Sequence, residues 1–189
     1  MDSDIVQWLN SGVGRFGWWD ALMRAVVSDY LVPVLGSLVL FAFWFWGKGP
    51  GRVRNQMVTM AGVGGIGLTN LATGYVNHIY FRARPFVDLD LNVLFYQPTD
   101  SSFPSNAPSL AFAVATAIFL AHRRLGTAMY GLAFLYGFAR VYSGVHYPSD
   151  ALAGAAMGIA ATVVAYSLIR IFHPLVRLFL RLVRVAHLA

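Results

Sequence analysis

Five long stretches of this chain carry charge only at their ends: Tyr30–Trp46, Met57–Tyr80, Ser109–Ala121, Leu125–Val141 and Asp150–Phe172. A bilayer core takes about 20 mostly apolar residues per helix, and helices satisfy their own backbone polar groups there. The runs therefore predict an all-α, polytopic membrane helix bundle with about five transmembrane helices. Composition agrees, because only 12% of the residues are charged against about 25% in soluble domains. In the second run Gly62, Gly65 and Gly74 suit close helix contact.

At 189 residues the chain reads as a single domain, 1–189. Residues 1–28 interleave Trp8, Trp18, Trp19 and Leu22 with Asp20 and Arg24, the pattern of interfacial helices. Residues 30–172 form the expected transmembrane core. Residues 173–189 set Arg177, Arg181 and Arg184 at helical spacing on an apolar body, the pattern of a basic amphipathic helix on the lipid surface. Without cysteine, neither a disulfide framework nor a thiolate site is available. The start, Met1–Ile5, lacks the basic region of a signal peptide, so insertion is expected to use the chain's own spans. The net charge of +6 reads as basic loops beside a phospholipid bilayer, with no nucleic acid partner.

Loop charge predicts orientation. Lys48, Arg52, Arg54, Arg123, Arg124, Arg170, Arg177, Arg181 and Arg184 all fall at one end of the predicted bundle, and all eight Asp fall at the other. The basic end is expected in the cytoplasm, which puts the N-terminus outside and the C-terminus inside.

Five arginines break that asymmetry, and three of them, Arg82, Arg84 and Arg140, sit in or beside outer loops. Arg84 precedes Pro85; a guanidinium there can grip phosphate bidentately, or can snorkel to headgroups, with Asp88 and Asp90 available to neutralise it. Ser105 and Asn106 stand where a helix begins, either as a plain N-cap or as backbone donors to an anion. His146 lies four residues before Asp150, and Pro148 suits the first turn of the helix that Asp150 opens. An Asp reaching back to a His fixes its tautomer and raises its basicity, while the plain alternative is a loop His beside a helix-capping Asp. Taken together, two arginines, one activated His and one group of N–H donors at one face read as phosphoryl transfer from a lipid. No His/Asp cluster has metal-ligand spacing, and no metal or cofactor is expected.

At these residues the chain resembles the type 2 phosphatidic acid phosphatase superfamily of membrane lipid phosphatases. The family motifs are K-x6-R-P, P-S-G-H and S-R-x5-H-x3-D. They appear here as Asn77-x6-Arg84-Pro85, Pro104-Ser105-Asn106-Ala107 and Ala139-Arg140-x5-His146-x3-Asp150. Small size, "YFRARPF" and "SFPSN" look most like the bacterial undecaprenyl-diphosphate phosphatases of that superfamily. The resemblance implies a phosphohistidine on His146, oriented by Asp150. It implies phosphate held by Arg84, Arg140, Ser105 and Asn106, with Asn77 offering one amide hydrogen bond where the family has Lys. The implied activity is metal-independent conversion of undecaprenyl diphosphate to the monophosphate at the outer face of a bacterial cytoplasmic membrane, serving lipid carrier recycling in cell wall biogenesis.

Ala107 departs from the pattern, because the family's His there protonates the leaving oxygen. Its loss predicts an impaired enzyme, since such a donor is worth roughly 10²–10⁴-fold. Three explanations stand: an engineered, disabled variant; a diphosphatase whose leaving phosphate needs less help; or a chain that has kept lipid binding alone. Other substrates and activities on the same scaffold are diacyl lipid phosphates and lipid-to-lipid phosphotransfer.

Overall fold

The computed structural model describes residues 1–185, with side chains through residue 182. Residues 186–189 and the side chain of Arg184 lie outside what it describes. Among the described residues every regular element is helical: α1 Asp2–Asn10, α2 Gly17–Val27, α3 Leu31–Phe45, α4 Gly49–Ile79, α5 Pro85–Asp88, α6 Asn106–Ala121, α7 Arg123–Tyr142, α8 Pro148–Ile171 and α9 His173–Val185.

The five apolar runs are α3, α4, α6, α7 and α8. By length and hydropathy one of the described helices, α8, is sufficient by itself to cross a membrane; α2 and α3 suffice only jointly, bent by 52° at their break. α6 is apolar but short, while α4 starts on Arg52, Arg54, Asn55 and Gln56, and α7 carries arginine at both ends. The outward faces of the bundle are apolar all the same: Leu38, Phe41, Leu71, Phe134, Leu152 and Val164 are exposed.

α6 is the central helix, packed against α4, α7 and α8. Its middle joins α3 and α4 through Leu40, Phe43, Val58, Val114 and Ile118. In an apolar surrounding such contacts hold by close packing rather than by exclusion of water. Packing is closest between α6 and α8. A Cβ on Gly154 would meet the Ser105 carbonyl oxygen at 2.2 Å, and one on Gly158 would meet that of Ser109 at 2.0 Å. Only glycine permits this approach, and it sets the first turns of the two helices side by side.

The N-terminal helices fold back on the bundle. Met23, Val26 and Val27 of α2 are buried with Tyr136, Ala139 and Tyr142 of α7. Val6 of α1 is buried with Val141 and Tyr147. Asp20 accepts hydrogen bonds from the Gly14 N–H (2.8 Å) and the Tyr142 hydroxyl (2.9 Å). At the opposite end α9 seats Val176 and Leu180 against Met57 of α4.

Candidate active site

Local sequence sets the stage for each side chain. α4 ends at Ile79, and an extended segment leads to Arg84, whose partner Pro85 opens the one-turn α5. Proline thus starts a helix here. Pro148 likewise starts α8, which places Asp150 in the first turn, where its carboxylate accepts from the Tyr147 N–H at 2.9 Å. Arg140 sits in the last turn of α7. Between α7 and α8 a tight loop with Gly144 at φ 75° presents His146 inward.

These pieces converge on a cavity of about 320 Å³. Arg84, Arg140, His146, Asn77, Asn106 and Ala107 all line it. His146 is fully enclosed and its ring nitrogens have distinct partners. Nδ1 lies 3.0 Å from the Ser102 carbonyl oxygen, so it carries the proton; Nε2 lies 3.0 Å from Arg84 Nη1 and accepts. The ring is therefore neutral, with its unprotonated Nε2 directed at Arg84, which lines the same cavity. Burial first, then the Arg84 and Arg140 charges, hold its pKa well below the usual histidine range against the opposing pull of the Ser102 carbonyl.

Asp150 does not reach His146 directly. Its Oδ2 stays 3.9 Å from Nδ1, because Ser102 stands between: the Ser102 hydroxyl donates to Oδ2 at 2.5 Å and lies 3.4 Å from Nδ1. The expected Asp–His hydrogen bond is corrected to a through-space ion–dipole relation with a serine intermediary. Ser102 was invisible to motif reasoning, since it stands just before the family's Pro-Ser segment in an irregular loop.

Both cavity arginines carry counter-ions, and they are not Asp88 or Asp90. Arg84 Nη2 bonds Asp100 Oδ1 at 2.8 Å and its Nε bonds the Asp100 carbonyl at 3.1 Å. Arg140 pairs with Asp29, at the α2–α3 break, and bonds the Tyr136 hydroxyl at 2.9 Å. Its guanidinium stacks 4.6 Å over Phe95, while the Tyr96 hydroxyl also binds Asp29. Spacing along the chain could not reveal these pairs.

Ser105 needs two corrections. Its N–H is committed to the Asp150 carbonyl at 3.1 Å, because the glycine seam brings the two strands of backbone together. Its hydroxyl makes no cap bond and is buried without a partner among the described residues. The free donors at the start of α6 are therefore those of Asn106 and Ala107, which a helix leaves without internal acceptors. The Asn106 side chain turns to Asn70 and Thr73. Asn77 Oδ1 is also buried without a partner. Among the described residues no three His, Asp or Glu converge as metal ligands do.

The polar cavity has an apolar neighbour. Pro33, Leu110 and Tyr136 belong both to it and to an apolar groove of about 130 Å³ between α3, α6 and α7, whose walls include Gly36, Val114 and Leu132. One chamber fits an anion; the other fits hydrocarbon.

Comparison with known proteins gives the family. The family model of the PAP2 superfamily matches residues 58–173. Undecaprenyl-diphosphatase BcrC of Bacillus subtilis (strain 168) is 28% identical over 163 residues, covering 86% of this chain and 81% of the relative. The putative undecaprenyl-diphosphatase YbjG of Escherichia coli (strain K12) is 29% identical over 144 residues, covering 75% and 69%. Among solved structures, that of Aquifex aeolicus LpxE superposes with a TM-score of 0.68 at 27% identity, over 87% of this chain and 93% of the other. A PAP2-type phosphatidylglycerolphosphate phosphatase from Bacillus subtilis shares the fold, with a TM-score of 0.64 at 20% identity over 89% and 84%. With its family motifs gathered around one cavity and the family model matching most of the sequence, the chain belongs to the PAP2 superfamily, as one of its lipid phosphatases.

Proposed function

We propose that this chain dephosphorylates a lipid diphosphate, with undecaprenyl diphosphate as the substrate and undecaprenyl phosphate as the product. The observation that carries this reading is the unprotonated His146 Nε2, held 3.0 Å from Arg84 at the wall of an anion-sized cavity that shares three lining residues with an apolar groove; an entering phosphate takes Arg84 Nη1 from it and frees its lone pair. The terminal phosphate enters between Arg84 and Arg140 and displaces the Asp100 and Asp29 carboxylates from them. Nε2 attacks phosphorus, the P–O bond to the lipid monophosphate breaks, and a phosphohistidine forms. The ring then carries positive charge, with Nδ1–H held by the Ser102 carbonyl and the Asp150 carboxylate 3.9 Å away. Water cleaves the N–P bond and releases inorganic phosphate. Two guanidinium groups and the first N–H groups of α6 neutralise the transferring phosphoryl group, the part a cation plays in other phosphoryl-transfer sites.

Ala107 lines the cavity and offers no proton. A diphosphate tolerates that better than a monoester, because phosphate is a far better leaving group than an alkoxide. Ala107 also supports a second reading, in which the chain binds the lipid headgroup and turns it over poorly or not at all. The relatives' names support the diphosphate, since BcrC and YbjG are both described as acting on undecaprenyl diphosphate. The site end carries all eight Asp and the other end nine cations, which supports an active site on the outer face of a bacterial cytoplasmic membrane.

Phosphate release from undecaprenyl diphosphate in detergent with EDTA, for this chain and for Ala107→His, tests the proposal. The His variant is expected to be faster by about 10²-fold, about 3 kcal/mol, the low end of a general acid's worth because the leaving phosphate needs less help. Absence of release from both would refute the phosphatase reading of this site.

A further inference from the structure

We propose that Asp2 and Arg82 are positioning residues of the active site, through which α1 holds the Asp150 carboxylate in place beside His146. The inference rests on the phosphohistidine reading above. Arg82 does not line the cavity. It faces the other side of Asp150 and bonds Oδ1 at 2.6 Å and the neighbouring Ser149 hydroxyl at 2.7 Å. Its second terminal nitrogen bonds Asp2 Oδ2 at 2.8 Å, and its plane lies 4.0 Å over the Tyr147 ring. Asp2 also accepts from both the N–H (3.2 Å) and the hydroxyl of Ser149. Asp2 is thus tied to the first turn of α8 by two residues, and its carboxyl lies below the usual range: burial raises it, but the Ser149 hydroxyl and Arg82 outweigh that.

The geometry gives this strap a job. Asp150 is wholly buried, and a buried carboxylate is costly unless paired. Arg82 fixes Oδ1, while Ser102 and the Tyr147 N–H fix Oδ2. With both oxygens fixed, the carboxylate has one orientation, which keeps its charge beside the imidazole as that ring turns cationic. α1 is itself secured at its far end, where Asn10 donates to the Asn92 and Tyr142 carbonyls at 3.0 Å each. A segment distant in sequence from the motifs thereby becomes part of the catalytic frame.

Asp2→Asn, Arg82→Gln, Arg82→Lys and a control, Asp4→Asn at an exposed position of the same helix, are made in the chain and in Ala107→His. Two readouts are taken. In phosphate release, Arg82→Gln lowers kcat by about 10²-fold and Asp2→Asn by about 10-fold, with KM within about twofold, as expected of misplacement near 1 Å. Arg82→Lys restores part of the loss and Asp4→Asn changes nothing. Unchanged kcat, or a change confined to KM, overturns the proposal, the latter by making Arg82 a substrate ligand. The second readout needs no turnover: the imidazole N–H resonance of His146, identified by its loss in His146→Ala. It shifts in Asp2→Asn and Arg82→Gln and stays in place in Asp4→Asn; an unmoved resonance overturns the positioning role even if no variant releases phosphate. If Arg82→Gln does not fold, Asp2→Asn and Arg82→Lys carry both readouts.

Discussion

Gly154→Ala puts the glycine seam to a quantitative test. Its Cβ would sit 2.2 Å from the Ser105 carbonyl oxygen, where ordinary contact begins at 3.4 Å, so α6 and α8 must part by about 1.2 Å (3.4 − 2.2). The obstacle is backbone, which has no rotamer to escape into. Overpacking of this kind costs about 1–3 kcal/mol, and about 2–4 °C of Tm accompanies each kcal/mol in a chain of this size. The shift also reaches the chemistry, because the Ser105 N–H bonds the Asp150 carbonyl across the same seam. A misplacement near 1 Å predicts a loss of about 10²-fold in kcat. Gly131→Ala in α7 is the matched control: a Cβ there meets nothing within 4 Å, and replacing helical glycine gains about 1 kcal/mol. Thermal unfolding in detergent and phosphate release, run on both variants, give opposite signs if the seam is tight. If Gly154→Ala keeps its Tm and its rate, the two helices are not held by backbone contact and the reasoning fails.

Two further predictions concern charge. Asp29→Asn removes the carboxylate that competes for Arg140; at about 1 kcal/mol for a partly exposed pair, vanadate should bind roughly fivefold tighter, as read by inhibition of phosphate release, and weaker binding would show that Asp29 instead shapes the site. His146, neutral when folded, binds a proton in the unfolded chain below its ordinary pKa of 6.5, so the unfolded state holds more protons there and stability falls as pH drops below 6.5. In denaturant titrations across that range His146→Gln should lose part of this acid sensitivity, and an unchanged slope would contradict a neutral buried ring.

Periodicity and hydropathy along the chain located the five apolar helices well, because apolar runs and the proline at 148 act locally. The arginines and His146 were legible for the same reason: each is chemically conspicuous in an apolar chain. Their partners were not. Asp29 meets Arg140 across 111 positions, Asp2 meets Arg82 across 80, and Ser102 meets Asp150 across 48. Such pairs exist only once the bundle closes. Ser105 misled for a different reason: its position is that of a cap, but the approach of α8 takes its N–H and encloses its hydroxyl.

The shared wall of Pro33, Leu110 and Tyr136 between the anion cavity and the apolar groove has a consequence for how substrate arrives. On the proposed function, a lipid whose tail lies in the groove while its phosphate reaches His146 comes in sideways, from among its neighbours in the leaflet. Its supply is then set by mole fraction and by two-dimensional diffusion, and molarity in the surrounding water has no bearing on it. For such an enzyme the crowding of the leaflet is itself a kinetic variable: every added bystander lipid dilutes the substrate, whatever the volume of the tube.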